Sequence, residues 1–454
     1  MEKETERNMM TKFWKEHSKF ATVEEMMLDS NAQELTQHEL PEILSLLPSL
    51  AGSDVLELGA GIGRYTRHLI GKARHVTAVD FMEKFVEKNR KDNSHLGNAE
   101  FIQADVTKLD FAKHSFDVVF SNWLLMYLSD QELKSLAEKL LVWLRPGGYL
   151  FFRESCFHQS GDCKRVFNPT LYRSPAYYNH LMTSVLQDES EKTEKKCYGF
   201  DMVVNKTVQT YVKMKNNQNQ LCWLMQKVRR DVVQQHQGSF STFQEFLDNQ
   251  QYTRRGILRY EKMFGSGYVS TGGISTTKEF VDMLNLTAGQ KVLDVGCGIG
   301  GGDFYMAKTF GVEVLGMDLS SNMVEIAMER AVKEKLPLVQ FEVSDATKRK
   351  FPDSTFDVVY SRDTILHIRD KLDLFRKFYF LSEVGFSDVH SEDRTEQFIQ
   401  VIKAELQRAG EMKEEFIQEF SQEDYDAVIN GWTKKLQRCE TGDQRWGLFY
   451  ATKE

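Results

Sequence analysis

The chain has 454 residues, 41% of them hydrophobic and 12% aromatic, so it is globular and has material for two or three cores. A net charge of −8 and a pI of about 5.9, with no Lys/Arg-rich run interleaved with aromatics, argue against a nucleic-acid partner but leave room for a local basic pocket. No apolar run reaches the roughly 18 residues of a spanning helix and the charged start MEKETERNMMTKFWKEHS holds no signal-peptide core, so a cytoplasmic location without membrane insertion is expected. Six cysteines (Cys156, Cys163, Cys197, Cys222, Cys297 and Cys439) lie without CxxC or His spacing, which points to reduced thiols and to no metal site.

Residues 9–50 carry helical periodicity, with Thr22 and Glu25 in capping-box spacing. They precede the first strand and can serve as a lid or as a packing layer. Residues 55–64 then read VLELGAGIGR, and VLDVGCGIGG begins at Val292, about 237 residues later, a period that fits a duplicated domain. In each copy a β-branched run ends in an acid and breaks into glycines, as a buried parallel strand does when it turns tightly into a helix. Gly59, Gly61 and Gly63, and Gly296, Gly298 and Gly300 in the second copy, permit positive φ and bring backbone N–H groups close to a ligand. Gly296, Gly298 and Gly301 also satisfy GxGxxG, so a nicotinamide-binding unit competes at this point, although the first copy has Arg64 in place of the third glycine.

The second strand, HVTAVD, ends at Asp80, about 20 residues past the glycine turn, where a carboxylate can take both ribose hydroxyls of an adenosine. The third, AEFIQAD, ends at Asp105; the fourth, FDVVF, leads into SNWLLMYL; an RPGG turn feeds a fifth. Together these features resemble the class I S-adenosylmethionine methyltransferases, and they imply an α/β chain of two tandem Rossmann-like methyltransferase domains. By that resemblance Glu57 and Gly59 face the methionine part of S-adenosyl-L-methionine, Asp80 the ribose, and Asp105 with Val106 the adenine, Gly61 also contacts the cofactor, and Asn122 and Trp123 line the junction with the acceptor. The long polar and aromatic stretch after the fifth strand is either a lid over the acceptor, with Arg153, Arg165, Tyr172 and Arg173 for an anionic group, or a surface insertion. Residues 198–228 alternate like two antiparallel strands joined by KNNQNQ and complete a seven-stranded sheet.

These features place a first domain over residues 1–230, a Gln-rich linker over 231–249 and a second domain over 250–454. Its strands end at Asp294, Asp318 and Asp345 and its fourth reads FDVVYSRD. Here the chain is similar to a narrower family: NQQYT, RYE.MFG..Y.S.GG, YSRDTILHI and QRWGLFYATK, with FSNWLLMYLSD and FFRESCFHQSGD in the first half, look like the phosphoethanolamine N-methyltransferases. The resemblance covers nearly the whole chain. It implies three methylations of phosphoethanolamine to phosphocholine, one S-adenosylmethionine per step, the first in the N-terminal half and the others in the C-terminal half. It also implies a dyad of Tyr252 and His367 over the amine, Tyr260 and Asp363 beside it, Gln251 seating it, Arg362 on the cofactor carboxylate and Lys435 on the phosphate.

In one respect the chain departs from that family. DKLDLFRKFY runs straight into FLSEVGFSDV, so about fifty residues, including the fifth strand, are missing between Tyr379 and Phe380, far beyond ordinary loop variation. Without that strand a central ladder is lost, and the second half is expected to be impaired. Two other readings stay open: a non-catalytic, regulatory S-adenosylmethionine-binding chain, and a methyltransferase for another small amine or a sterol.

Overall fold

The computed structural model of the chain describes residues 2–162, 168–189, 196–230, 240, 242–364 and 385–453. They form two compact units, one of Met1–Glu245 with Met328–Arg349, the other of Phe246–Ala327 with Lys350–Glu454.

In the first unit the strands are β1 (Asp54–Leu58), β2 (His75–Asp80), β3 (Ala99–Gln103), β4 (Phe116–Asn122), β5 (Leu144–Ser155), β6 (Leu186–Asp188), β7 (Cys197–Thr207) and β8 (Gln220–Arg230). Seven of them run in the order β3-β2-β1-β4-β5-β8-β7, the first five parallel, with β8 antiparallel to both β5 and β7. Parallel central strands are covered on both faces and so read as continuous apolar runs. Val55, Leu56, Val118, Val119 and Phe120 are buried accordingly, and the Phe120 and Phe151 rings stack 5.0 Å apart. The short β6 pairs with β7.

The link from β7 to β8 is more than the expected KNNQNQ turn, because the helix Gln209–Lys215 precedes it. Its first N–H groups, on Gln209 and Thr210, donate to the Glu42 carboxylate at 2.7 and 3.0 Å, and Thr210, Tyr211 and Val212 are buried. Glu42 belongs to the N-terminal helix Ala32–Leu46, so this cap is a tertiary contact that local periodicity does not reveal. With Glu2–Glu16 and Val23–Met27 that helix covers residues 9–50 as expected, and its Ala32, Leu35 and Ile43 join Val55, Leu69 and Phe120 in one core.

The second unit holds β9 (Lys291–Val295) and β10 (Glu313–Asp318). The next strand, β11 (Val339–Ser344), is grouped with the first unit and pairs antiparallel with β7, Val343 opposite Asn205. Then come β12 (Val358–Ser361), parallel to β9 on the side away from β10, and β13 (Phe386–Asp393) with β14 (Gly447–Lys453), which form a separate antiparallel hairpin. Among the described residues nothing pairs with the other side of β12, and the hairpin joins no further strand. The helices Arg254–Phe264, Thr395–Glu411, Lys413–Glu419 and Gln422–Thr441 build their own core around Phe264, Phe398, Phe416 and Trp432. The junction of Tyr379 and Phe380 and most of the 231–249 linker lie outside the described residues.

Candidate active site

In the first unit a cavity of 1310 Å³, its open mouth included, lies over the ends of β1, β2 and β4. The glycine turn after β1 has φ of +71°, +55° and +92° at Gly59, Gly61 and Gly63. A Cβ on Gly61 would come 2.4 Å from Met26 Sδ, so a side chain there would collide with the helical layer that covers the cavity. The Gly61 and Met82 N–H groups donate to the two oxygens of Asp80, each at 2.8 Å, which fixes the carboxylate against the turn. Burial pushes Asp80 up to about 6 and Glu57 up to about 8, the latter held by the Thr66 hydroxyl at 2.6 Å. Asp105 accepts from the N–H and the hydroxyl of Thr107 at 3.0 and 2.8 Å, and Asn122 Oδ1 is buried without a partner.

Glu57, Gly59, Gly61, Asp80, Asp105, Val106 and Asn122 all line this cavity, so the structure brings these residues together. Trp14, Met26 and Met27 line it from the N-terminal helices, which therefore both pack and cover. Such a cradle, with glycines where side chains would intrude, buried acids and an unpartnered amide oxygen, fits an adenosyl nucleotide carrying an amino acid.

Arg64, Trp123, Tyr127, Ser155, Tyr172, Tyr211 and Gln220 also line this cavity. Trp123 sits at φ +54°, a strained value for a non-glycine residue, and the turn after it is clamped from two sides. The N–H groups of Leu124, Leu125 and Met126 donate to Glu154 at 3.2, 2.8 and 3.2 Å, and Arg173 donates to the carbonyls of Leu125 and Leu128 at 3.1 and 2.5 Å and to Asp130 at 2.8 Å. Burial pushes Glu154 up to about 8. Arg173 is thus engaged with the turn and stays off the cavity wall. Arg153 is fully buried behind Trp123, its guanidinium 4.1 Å from the ring centroid. Asn122 and Trp123 line the cavity as expected; of the four residues expected for an anionic group Tyr172 lines it, Arg153 and Arg173 do not, and Arg165 lies outside the described residues. Glu154 was missed by the sequence reading, although an acid at the tip of a buried strand is the signal that pointed to Asp80.

The second unit repeats the cofactor half of this design. Gly298 N–H and Ser320 N–H donate to Asp318 at 3.0 and 2.8 Å, and burial pushes Asp318 up to about 6. Burial pushes Asp294 up to about 7 against the opposing hydrogen bond from Asp303, and burial, with the nearby Asp294 carboxyl, raises Asp303 as well. Asp294, Gly296 and Arg362 line a cavity of 340 Å³ with Tyr268, Cys297 and Tyr360; Gly298, Asp318 and Asp345 do not. Arg362 donates to the hydroxyls of Thr276 and Thr277 and to the Thr271 carbonyl. Asp345 accepts from Thr347 at 2.9 Å, as Asp105 does from Thr107, and falls in the segment grouped with the first unit.

Asp363 (φ +53°), expected beside the amine, accepts from Thr271 N–H and from the Trp446 indole, both at 3.1 Å. Lys435 Nζ lies 4.4 Å from the Trp432 ring, and burial lowers its pKa against the opposing pull of Asp363 and Glu405. Burial raises the Tyr252 hydroxyl, with Asp318, Tyr260 and Asp363 adding to the shift and Gln251 hydrogen-bonded to it. Tyr252, Tyr260, Asp363, Gln251 and Lys435 therefore share one neighbourhood; His367 lies outside the described residues.

Two glycine turns, each donating to the acid at the tip of the neighbouring strand, make the chain a tandem methyltransferase, and the methyltransferase-domain family matches residues 55–148 and again 292–385. It belongs to the phosphoethanolamine N-methyltransferases. It is 50% identical to phosphoethanolamine N-methyltransferase 3 of Arabidopsis thaliana, with 98% of each chain covered, and 49% identical to phosphoethanolamine N-methyltransferase 1 of Triticum aestivum, with 99% of this chain and 98% of that one. The Arabidopsis alignment spans 492 positions, more than the 454 residues present, so part of it faces a gap in this chain. A solved structure of Haemonchus contortus phosphoethanolamine N-methyltransferase 2 in complex with S-adenosyl-L-methionine is similar, with a TM-score of 0.72 and 25% identity over 92% of this chain and 99% of that one. A second structure of that enzyme, with phosphomonomethylethanolamine and S-adenosylhomocysteine, gives 0.70 and 25% over the same shares.

Proposed function

We propose that this chain transfers a methyl group from S-adenosyl-L-methionine to the nitrogen of phosphoethanolamine, on the way to phosphocholine, that the first half performs the first methylation, and that the second half, which would take the later ones, is impaired. The observation that carries the reading is the first cavity, which joins a nucleotide cradle to an aromatic and polar acceptor wall in a member of this family.

In the first half Glu57, Gly59, Gly61, Asp80, Asp105, Val106 and Asn122 would hold the cofactor, which supplies an electrophilic methyl on a sulfonium. The chain's own task is then positioning. An alkylammonium with a pKa of about 10 must shed its proton before its lone pair can attack, and the nitrogen must be held in line. Trp123, Tyr172 and Tyr211 line the cavity and would surround the cationic head, and the clamp of Glu154 and Arg173 on the turn after Trp123 keeps that residue in place.

In the second half Asp294, Gly296, Gly298, Asp318, Asp345 and Arg362 would serve the cofactor, Tyr252 and His367 the proton, Tyr260, Asp363 and Gln251 the amine, and Lys435 the phosphate. The smaller cavity and the side of β12 that pairs with no described residue support its impairment. A cytoplasmic location fits these small-molecule substrates and products.

The test is a product profile from phosphoethanolamine and S-adenosylmethionine. The monomethyl product should accumulate, and monomethylated substrate should turn over at least about 100-fold more slowly than phosphoethanolamine, the loss of some 2.7 kcal/mol of transition-state stabilisation. Rapid phosphocholine formation would contradict the assignment of the second half.

A further inference from the structure

Arg64, immediately after the first glycine turn, lines the same cavity as the cofactor cradle, and its chemistry is unusual for a wall residue. Its side chain is 4% exposed and lines the cavity. One Nη forms an ion pair with Glu39, while Nε and Nη2 are buried without any partner. Its guanidinium lies 4.6 Å from the Tyr65 ring and 5.2 Å from Trp123.

The second oxygen of Glu39 is 2.8 Å from Arg153 Nη2, and both of those side chains are fully buried. Two guanidinium groups therefore share one carboxylate and leave one positive charge among buried side chains at the cavity wall. An uncompensated charge in such a place costs several kcal/mol, so the arrangement is completed by an anion. Arg153 is screened by Trp123 and Tyr211, whose ring centroids lie 4.1 and 5.0 Å from its guanidinium, and only Arg64 reaches the cavity.

From this geometry, and resting on the function proposed above, we infer that Arg64 binds the phosphate of the acceptor in the first half, with Glu39 and Arg153 as the positioning residues that aim its free N–H groups. The planar fork matches two phosphate oxygens, which a lysine cannot do. The second half cannot copy the device: Gly301 holds the corresponding place, and even a Cβ there would come 2.2 Å from the Gly267 carbonyl. The two halves thus recognise the same anion with different residues.

The cofactor's own carboxylate is the competing source of negative charge, and the experiment separates the two. Arg64→Gln is expected to raise the KM for phosphoethanolamine about 100-fold at saturating cofactor, with kcat within about threefold and the Kd of S-adenosylhomocysteine within about twofold, the loss of one bidentate charged contact. Inorganic phosphate should compete with phosphoethanolamine in the unsubstituted chain and cease to do so in the variant. Should Arg64→Gln not fold, Arg64→Lys, which keeps the charge and loses the fork, should raise KM about tenfold. An unchanged KM, or a loss confined to S-adenosylhomocysteine affinity, overturns the inference. Absence of turnover in the unsubstituted chain would count against the proposed function alone, because calorimetric binding of phosphoethanolamine still reports on Arg64.

Discussion

The tetrapeptide FDVV occurs twice, at 116–119 in β4 and at 356–359 leading into β12, and its fate differs. Val119 is fully buried between β1 and β5, whereas Val359, its counterpart, is 66% exposed because β9 is the single partner of β12 among the described residues. The cause is the neighbour that each copy receives on its far side. In the first half β5 supplies both a partner for β4 and Glu154, which ties down the turn after it. In the second half the described residues offer neither, and the cavity lined by Asp294 and Arg362 is 340 Å³ against 1310 Å³. A strand motif thus encodes the capacity to be central, and the rest of the sheet decides whether it is.

The sharpest way to break this comparison is to place a charge at each valine. Val119→Asp should cost more than about 3 kcal/mol, since it buries an unpaired carboxylate, and should abolish cooperative unfolding of the first unit. Val359→Asp should stay within about 0.5 kcal/mol in denaturant titration, as surface substitutions do. Equal destabilisation by the two would mean that the side of β12 left unpaired among the described residues is covered.

A smaller effect should appear in the pH dependence. Glu154 and Glu57 titrate at about 8 in the folded chain against ordinary values of 4.5, so the folded state holds more protons than the unfolded one between those limits. Their contribution to stability is complete below about 4.5 and fades as the pH climbs through about 8. Thermal denaturation of the first unit should therefore occur at a lower temperature at pH 8.5 than at pH 5.5. Glu154→Gln, which imitates the neutral form, should flatten that slope while lowering stability by about 1 kcal/mol through weaker bonds to the Leu124–Met126 N–H groups. A slope unaltered by the substitution would show that Glu154 is already ionised.

Much of this was legible from the chain. The glycine turns and the acids Asp80 and Asp318 could be read because their roles are local: a turn, a strand tip and a fixed spacing between them. The seven-stranded sheet emerged from the pattern of the first half. What escaped reading depends on contacts between distant segments. The helix Gln209–Lys215 owes its cap to Glu42, β11 owes one partner to the edge of β7, and Arg173 looks like a ligand for anions until Leu125, Leu128 and Asp130 are found around it. Arg64 stood out only as a departure from a glycine motif; the buried Glu39 that gives it meaning is 25 residues earlier in the chain.

The most direct measurement is the stoichiometry of S-adenosylhomocysteine binding by calorimetry, repeated with Asp80→Ala and Asp318→Ala. The account predicts a tight site in the first half, lost with Asp80→Ala and kept with Asp318→Ala, and a weaker one in the second half that Asp318→Ala removes. Two equal sites, or a single site that disappears with Asp318→Ala, would contradict it.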